Sequence, residues 1–552
     1  MDLQRLFLFL IFVFSLVLVW DGWQRYQHPE AYTQNKSVLG EDQSKSPVLR
    51  TVESVNSPIL NSNVSEQRTH DKTGELISVK TDLMDVEIDT IGGDISYLSL
   101  LKHSDGEDKN KPFVLFSRRD GGHNYTAQSG LLGIGLPNHN SQFKTDHNQY
   151  EIKRSSEQLH IRLTAVDDSP LKVTKVMTFY NSRYQIDVSY ELENTSLLAV
   201  VASSYFQLVR DSVAPAGSSR FLPTYTGVAV YTEKEKFKKV QFSDIEKSKV
   251  DYEKLADNGW IGMLQHYFVA AWLPLEKAKR EFFTRKVDGD LYAAGVILPD
   301  LIINPGQKSI VNMTLYAGPA QTKLDKIAPG LGLTVDYGWL TIIATPLFWV
   351  MTLFNDWTGN WGVAIILLTI LIKLIFFPLS AASYRSMAKM RLVAPKLEKI
   401  KQQYPDDREQ LNRAMMELYK TEKINPLGGC LPVVIQIPVF IALYWSILSS
   451  VEMRYAPFFG WITDLSAADP YYILPVIMGL SMIVQMRLNP KPPDPIQAKV
   501  MQIMPIAFSV IFFFFPAGLV LYSVVNNLLS IAQQWYITKS AEHETKGASA
   551  KR

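Results

Sequence analysis

The stretch LLTILIKLIFFP, residues 367–378, is built almost wholly of Leu, Ile and Phe, yet it contains Lys373. At the centre of a bilayer a cation costs roughly 2.5–3.5 kcal/mol, so a lysine kept there needs a wet place, a partner or a route to the surface. The long apolar runs offer it no acidic partner: Asp, Glu and His are absent from 358–379, 427–450, 471–487 and 500–537. Neutral polarity accompanies it instead. Thr369 lies four residues earlier, on the same helix face. Gln436, Phe440 and Tyr444 recur at i, i+4 and i+8, and Tyr522, Asn526 and Ser530 make another stripe with Ser523, Asn527 and Gln534 beside it. Polar faces on several helices can line a hydrated cavity in which an unpaired ammonium is tolerated. Lys373 is also seven residues before Ser380, roughly 10 Å by helical rise, a distance that a lysine stem can largely cover by snorkelling. The residues alone leave both positions open, and the stripes read equally as interhelical hydrogen bonds.

Covalent and metal chemistry have no comparable signal. Cys430 is the single cysteine, which excludes an intrachain disulfide and a thiolate metal cluster. The nine histidines form no HxxxH or HExxH pattern, so no metal site is expected. His123, His160 and His266 read as structural or surface residues, and no nucleophile or Gly-rich phosphate loop stands out in 76–318. No catalytic residue and no cofactor are expected. The lack of intramembrane carboxylates and histidines also weighs against a proton- or sodium-coupled transporter, which uses such groups as relays.

The elements that must position these residues divide the 552-residue chain into two unlike halves, polar before about 330 and rich in apolar runs from 340 to 538. Residues 6–20 (LFLFLIFVFSLVLVW) follow Arg5, lack an A-x-A cleavage signal and lead into Trp20, Trp23 and Tyr26. They predict a retained membrane anchor over 1–27. Residues 28–75, rich in Ser, Asn, Gln and Glu, predict a disordered exported linker. Period-two alternation over 76–320, bounded by Gly, Asn, Asp and Pro, predicts a large antiparallel β-sandwich. Within 321–357, the run 332–357 carries Asp336, Pro346 and an aromatic edge, and predicts a helix lying along the membrane surface. Five spans follow at roughly 358–379, 427–450, 471–487, 500–515 and 517–537, the last two broken apart at Pro516 and Gly518. With the anchor the count is six, five of them forming a core over 358–538.

Charge sets the orientation. Residues 384–424 hold ten Lys/Arg, the loop 451–470 holds only Arg454 beside Glu452, Asp464 and Asp469, and the basic tail 539–552 carries Lys539, Lys546, Lys551 and Arg552. The positive-inside rule puts 384–424 and both termini in the cytoplasm and the β domain outside. The basic segment 384–424 predicts a helical hairpin turning at Pro405, with Asp406 as N-cap and Glu409 three residues on. Met390, Val393, Leu397 and Ile400 form its first apolar stripe, and Leu411, Met415 and Leu418 its second.

NPLGGCLPVVIQIPVFIALYWSI (425–447), DLSAADPYYILPVIMGLSM (464–482), FPAGLVLYSVVNNLLSIAQQ (515–534), MAKMRLVAPKLEKIK (387–401) and LTVDYGWL (333–340) together resemble the YidC membrane protein insertases of the YidC/Oxa/Alb family. The likeness extends over essentially the whole chain and is to the Gram-negative type with a large periplasmic domain. In NPLGGC, Asn425 suits a cap, Pro426 the first helical position, and Gly428, Gly429 and Cys430 a close approach. The resemblance implies a groove open to the cytoplasm and to lipid and closed on the periplasmic side. It places a cation in the first core span, where this chain has Lys373 in place of the usual Arg. Charge survives there, but the bidentate fork of a guanidinium does not. Thr369, Gln436 and Tyr522 match groove-lining or functionally sensitive positions; Phe514 stands where relatives often have Trp, and Ser523 where some have a second Tyr. The exported domain resembles a sandwich similar to sugar-mutarotase folds, which supplies no activity by itself.

The expected function is therefore that of an insertase and chaperone for nascent membrane proteins in the bacterial inner membrane, acting alone or with the Sec translocon and without covalent chemistry. Lys373, Thr369, Gln436, Tyr522, Ser523, Asn526 and Phe514 are the expected groove residues. Ile437 and Phe440 on the third span, with Phe508 and Ile511 on the fifth, are the expected hydrophobic slide into lipid. The hairpin and basic tail are expected to meet the ribosome, and no small-molecule substrate is expected. The alternative is a secondary transporter or channel with a polar intramembrane cavity; repeat symmetry and a defined solute site would mark it, and the sequence has neither.

Overall fold

The computed structural model describes residues 74–549 apart from 106–107, 109, 119–122, 154, 214–224, 275, 336, 338–339, 405–406, 423–430, 490–502 and 504–508. The expected anchor, all of the linker but its last two residues, and half of the expected span 500–515 lie outside the described residues.

The alternating half folds as two facing sheets, of eleven and nine strands. Gln185–Asn194 shows why: Ile186, Val188, Tyr190 and Leu192 are buried, and the intervening Asp187, Ser189 and Glu191 are not, the period-two pattern of a strand with one buried face. The nine-stranded sheet runs antiparallel throughout, with Lys308–Pro319 between Phe268–Leu273 and Gln185–Asn194. The other sheet departs from the expected all-antiparallel pairing at one place, where Leu76–Lys80 lies parallel to Gln149–Glu151. Aromatic side chains join the two sheets. Phe206 meets Trp272 at 5.2 Å and Tyr190 at 6.1 Å between ring centroids, and the Tyr190 and Ser129 hydroxyls hydrogen-bond at 3.0 Å.

The nine-stranded sheet buries its second face as well. Tyr231, Trp260, Leu264, Val269 and Leu273 pack with Leu331, Tyr337, Leu340, Ala344 and Phe348 of the segment leading into the helical half. Burial on both faces accounts for Trp260–Gln265 and Phe268–Leu273 being buried at every position, a pattern without alternation.

Seven helices make up the helical half among the described residues: α1 Thr341–Thr358, α2 Trp361–Ile375, α3 Phe377–Gln403, α4 Arg408–Thr421, α5 Leu431–Ser449, α6 Ile473–Leu488 and α7 Ala517–Ser549. Gly359, at φ +68°, ends α1 by donating to Asn355 O, and the Asn360 side chain caps α2 by accepting from Val363 N. α1 buries Ala344, Phe348 and Met351 and exposes Ile342, Trp349, Leu353 and Trp357. The basic tail does not begin at 539 as a separate segment, since α7 continues through it to Ser549.

Two expectations for the helices change. The span expected over 358–379 is broken: α2 stops at Ile375, and α3 leaves at 67°. Phe376 N donates back to Ile372 O to close α2, while Pro378, which has no N–H, sits in the first turn of α3, where none is needed. The cap of α4 is Asp407, one residue after the expected Asp406, which is outside the described residues; its side chain accepts from Glu409 N and Gln410 N. Both hairpin stripes face inward, with Val393 and Leu397 buried and Met390, Ile400, Leu411, Met415 and Leu418 half-buried. Among the described residues no single helix is long and apolar enough to cross a membrane; the bent pair α2 and α3 qualifies together, and Ile435–Ser449 and Ile473–Leu488 are shorter apolar helices.

Candidate functional site

Lys373 sits in the last turn of α2 and is buried. Its Nζ donates to Ser530 Oγ at 2.7 Å, and Ser530 in turn donates to Asn526 O one turn back along α7, also at 2.7 Å. One hydroxyl thus passes the lysine's charge into the backbone of α7. Among the described residues no carboxylate pairs with Lys373. An ammonium has three N–H donors, so two remain beyond the Ser530 contact.

Those donors border a cavity of about 30 Å³ whose walls include Lys373, Phe376, Ser380, Gln436, Val439 and Asn526. About 10–15 Å³ suffices for a water with two to four polar partners, so the space has room for one or two waters beside Lys373. The break between α2 and α3 shapes it. Lys373 and Phe376 approach from one side of the bend, and Ser380 lies past it on α3. α5 supplies Gln436 and α7 supplies Asn526. Gln436 Nε2 also donates to the Tyr522 hydroxyl at 3.1 Å, tying α5 to α7.

Of the expected groove residues, the structure brings Lys373, Gln436 and Asn526 together around the cavity and joins Tyr522 to it through Gln436. Thr369 and Ser523 are buried and donate to their own helices, at Ile365 O and Leu519 O. Phe514 is 81% exposed and outside the cavity wall. On the expected slide, Ile437 and Ile511 are exposed, and Phe508 lies outside the described residues. Phe440 turns inward, edge-on to Phe512 and Phe515 and tilted against Tyr522, while Tyr444 meets Phe515 at 5.5 Å. The second polar stripe faces elsewhere. Asn527 donates to Ser481 Oγ, and Gln534 to Leu488 O and Asn489 Oδ1, so these residues bind α7 to α6 and the segment after it.

Sequence reasoning placed Ser530 in the stripe without marking it as the lysine's partner, although Ser530 continues the i, i+4 series of Tyr522 and Asn526. Ser380 entered only as the end of the expected span. It carries no signal of its own, because the bend at Phe376 is what turns it toward Lys373.

Similar proteins can be set beside this geometry. The family described as "YidC periplasmic domain" matches residues 76–350, and "60Kd inner membrane protein" matches 353–545. The membrane protein insertase YidC of Nitrosospira multiformis is 54% identical, the match covering 100% of this chain and 99% of the relative. That of Methylobacillus flagellatus is 53% identical, with 98% of each chain covered. The solved structure of an active YidC insertase with its first transmembrane domain resolved is 20% identical, covers 84% of this chain and 93% of its own, and has a TM-score of 0.39.

Proposed function

The chain belongs to the YidC family of membrane protein insertases, and from that premise we propose that insertion runs through the cavity at Lys373, with the ammonium attracting acidic residues in a substrate's polar tail. The protein inserts nascent integral membrane proteins in the bacterial inner membrane. Such a process needs no bond to be made or broken. The work lies in lowering the cost of bringing a hydrophilic tail part-way into hydrocarbon, where each unsatisfied backbone group costs several kcal/mol.

The observation that carries the proposal is where Lys373 ends: buried, bonded to Ser530 and beside Gln436 and Asn526. Without a carboxylate partner among the described residues, and with Ser380, Gln436 and Asn526 as the polar groups of a largely apolar wall, that charge is available to an incoming acidic group. The exposed Ile437 and Ile511 then offer an apolar path toward lipid for the substrate's hydrophobic segment. Thr369 and Ser523 support the wall from behind by satisfying their own helices.

The proposal includes six crossings with both termini cytoplasmic, α1 along the membrane surface and the β domain in the periplasm. It is supported by the charge asymmetry between 384–424 and 451–470 and by the exposed Ile342, Trp349, Leu353 and Trp357 of α1. It also assigns the basic hairpin, helices α3 and α4, to the ribosome and the periplasmic domain to components of the Sec translocon. The test is reconstitution of the purified chain in liposomes with a Sec-independent, single-span substrate. Protection of the substrate from protease should exceed that in empty liposomes, and equal protection would refute the proposal.

A further inference from the structure

The β domain and the helical half meet at a cationic, aromatic cluster that the insertase reading does not use. Arg454, from the loop after α5, lies over four rings, those of Phe113, Tyr267, Phe268 and Tyr455, at 5.1 to 5.9 Å from the centroids. Phe113, Tyr267 and Phe268 belong to the β domain. Arg454 Nη1 is buried without a hydrogen-bond partner among the described residues, so ring faces replace part of its solvation. Tyr455 holds the left-handed backbone region at φ +58° and donates its hydroxyl to Asp105 O of the β domain at 2.6 Å. His266, also left-handed at φ +46°, stacks on Tyr267 and places Nε2 3.2 Å from Leu448 O, near the end of α5. His103 lies edge-on to Phe268 and within 3.3 Å of the Tyr184 hydroxyl.

We propose that Arg454, His103 and His266 form an acid-releasable clamp, which holds the exported domain against α5 at neutral pH and lets it go when the two histidines take up protons. Helix α5 carries Gln436 of the cavity, so the clamp links the exported domain to a groove wall. Protonating either imidazole would place a second cation in a site that already holds Arg454, and no carboxylate among the described residues pairs with either histidine. The other charged and titratable groups facing the cluster do not relieve this. Asp464, against Tyr267, uses Oδ1 to accept from Ser466. Glu452 is half-buried, lies close to Lys323, and has its pKa raised by that partial burial. Asp105 is met by Tyr455 through its backbone oxygen, and Arg210 is held by Gln265.

Burial first, and the Arg454 charge second, lower His103 to about 4; His266 also falls to about 4, through burial and Arg454 working against the Leu448 contact. The closed clamp therefore holds neutral imidazoles that would protonate near their ordinary 6.5 once back in water. Its stability is fully present above 6.5 and is lost as pH falls toward 4. Between pH 7.5 and 5 the closed-to-open ratio should drop roughly 30-fold per histidine, or roughly 700-fold for the pair.

Spin labels at Leu197→Cys in the β domain and Trp357→Cys on α1, in full-length protein with Cys430→Ser, would report the separation by pulsed electron resonance. A single narrow distance at pH 7.5 and a second, longer population at pH 5 are expected. With His103→Gln and His266→Gln together the narrow distance should persist at pH 5, and with His103→Gln alone the loss should shrink roughly 30-fold. A wild-type distribution that is unchanged at pH 5 would overturn the clamp. So would a double variant that opens as the wild type does, or one already open at pH 7.5.

Discussion

Lys373 decides whether the cavity is a substrate site or only a packing irregularity. Charge, and not guanidinium geometry, is what a diffuse acidic tail needs, so Lys373→Arg should retain insertion in the liposome assay. Lys373→Glu should impair substrates with acidic tails and spare neutral ones, and equal activity on both would remove the ammonium from the mechanism. Ser530→Ala tests the support of that charge. It deletes the one hydroxyl that accepts from Nζ, and a hydrogen bond to a charged group contributes about 1.5–3 kcal/mol. The variant should lower the melting temperature in detergent, and Ser530→Thr should restore it. Lys373 was legible because a cation in an apolar run contrasts with everything around it. Arg454 was not, because its meaning depends on Phe113 and Tyr267, more than 180 residues away in the chain.

Among the elements, the hairpin and its stripes followed from periodicity, and α5 and α6 lie within a few residues of the expected 427–450 and 471–487. The break in the expected 358–379 span was not, because Pro378 followed by a polar helix reads as readily as the end of a span as a sharp bend inside one. α6 depends on a cap that spacing hid. Asp469 lies four residues before Ile473, and it is buried, with one carboxylate oxygen accepting from Trp461 Nε1 and Tyr471 N and the other from Leu474 N. Losing a cap costs about 0.5–2 kcal/mol, and the Trp461 indole would lose its acceptor as well. Asp469→Ala should therefore lower the melting temperature, and Asp469→Asn should recover part of the loss. A thermal scan showing no change in Asp469→Ala would mean that packing alone holds the start of α6.

For the whole molecule, the sandwich was legible from alternation in its one-sided strands and illegible where the sheet is covered twice, at Trp260–Gln265 and Phe268–Leu273. That double cover makes a joint, and one glycine sets its fit. Gly330, at φ +74°, precedes the turn Leu331–Thr334, and a Cβ on it would fall 2.2 Å from Tyr231 Cε2 and 2.3 Å from Cδ2. The same joint holds the Trp260 indole N–H on Pro329 O at 3.0 Å and stacks Tyr231 on Trp260. An alanine there costs about 1–2 kcal/mol for the left-handed backbone before any clash with the ring. Tyr231 is rigid and buried, so the turn has to move instead of the ring. A cost of about 1.4 kcal/mol is a tenfold change in an equilibrium, so Gly330→Ala should raise limited proteolysis within 320–340 at least about tenfold at neutral pH. Strands such as Gln185–Asn194, which lie in the sandwich core away from the joint, should keep their protection from hydrogen exchange. Unchanged cleavage would show that the joint yields at this turn without opening, and would leave the Arg454 cluster as the contact that sets how the exported domain sits on the membrane half.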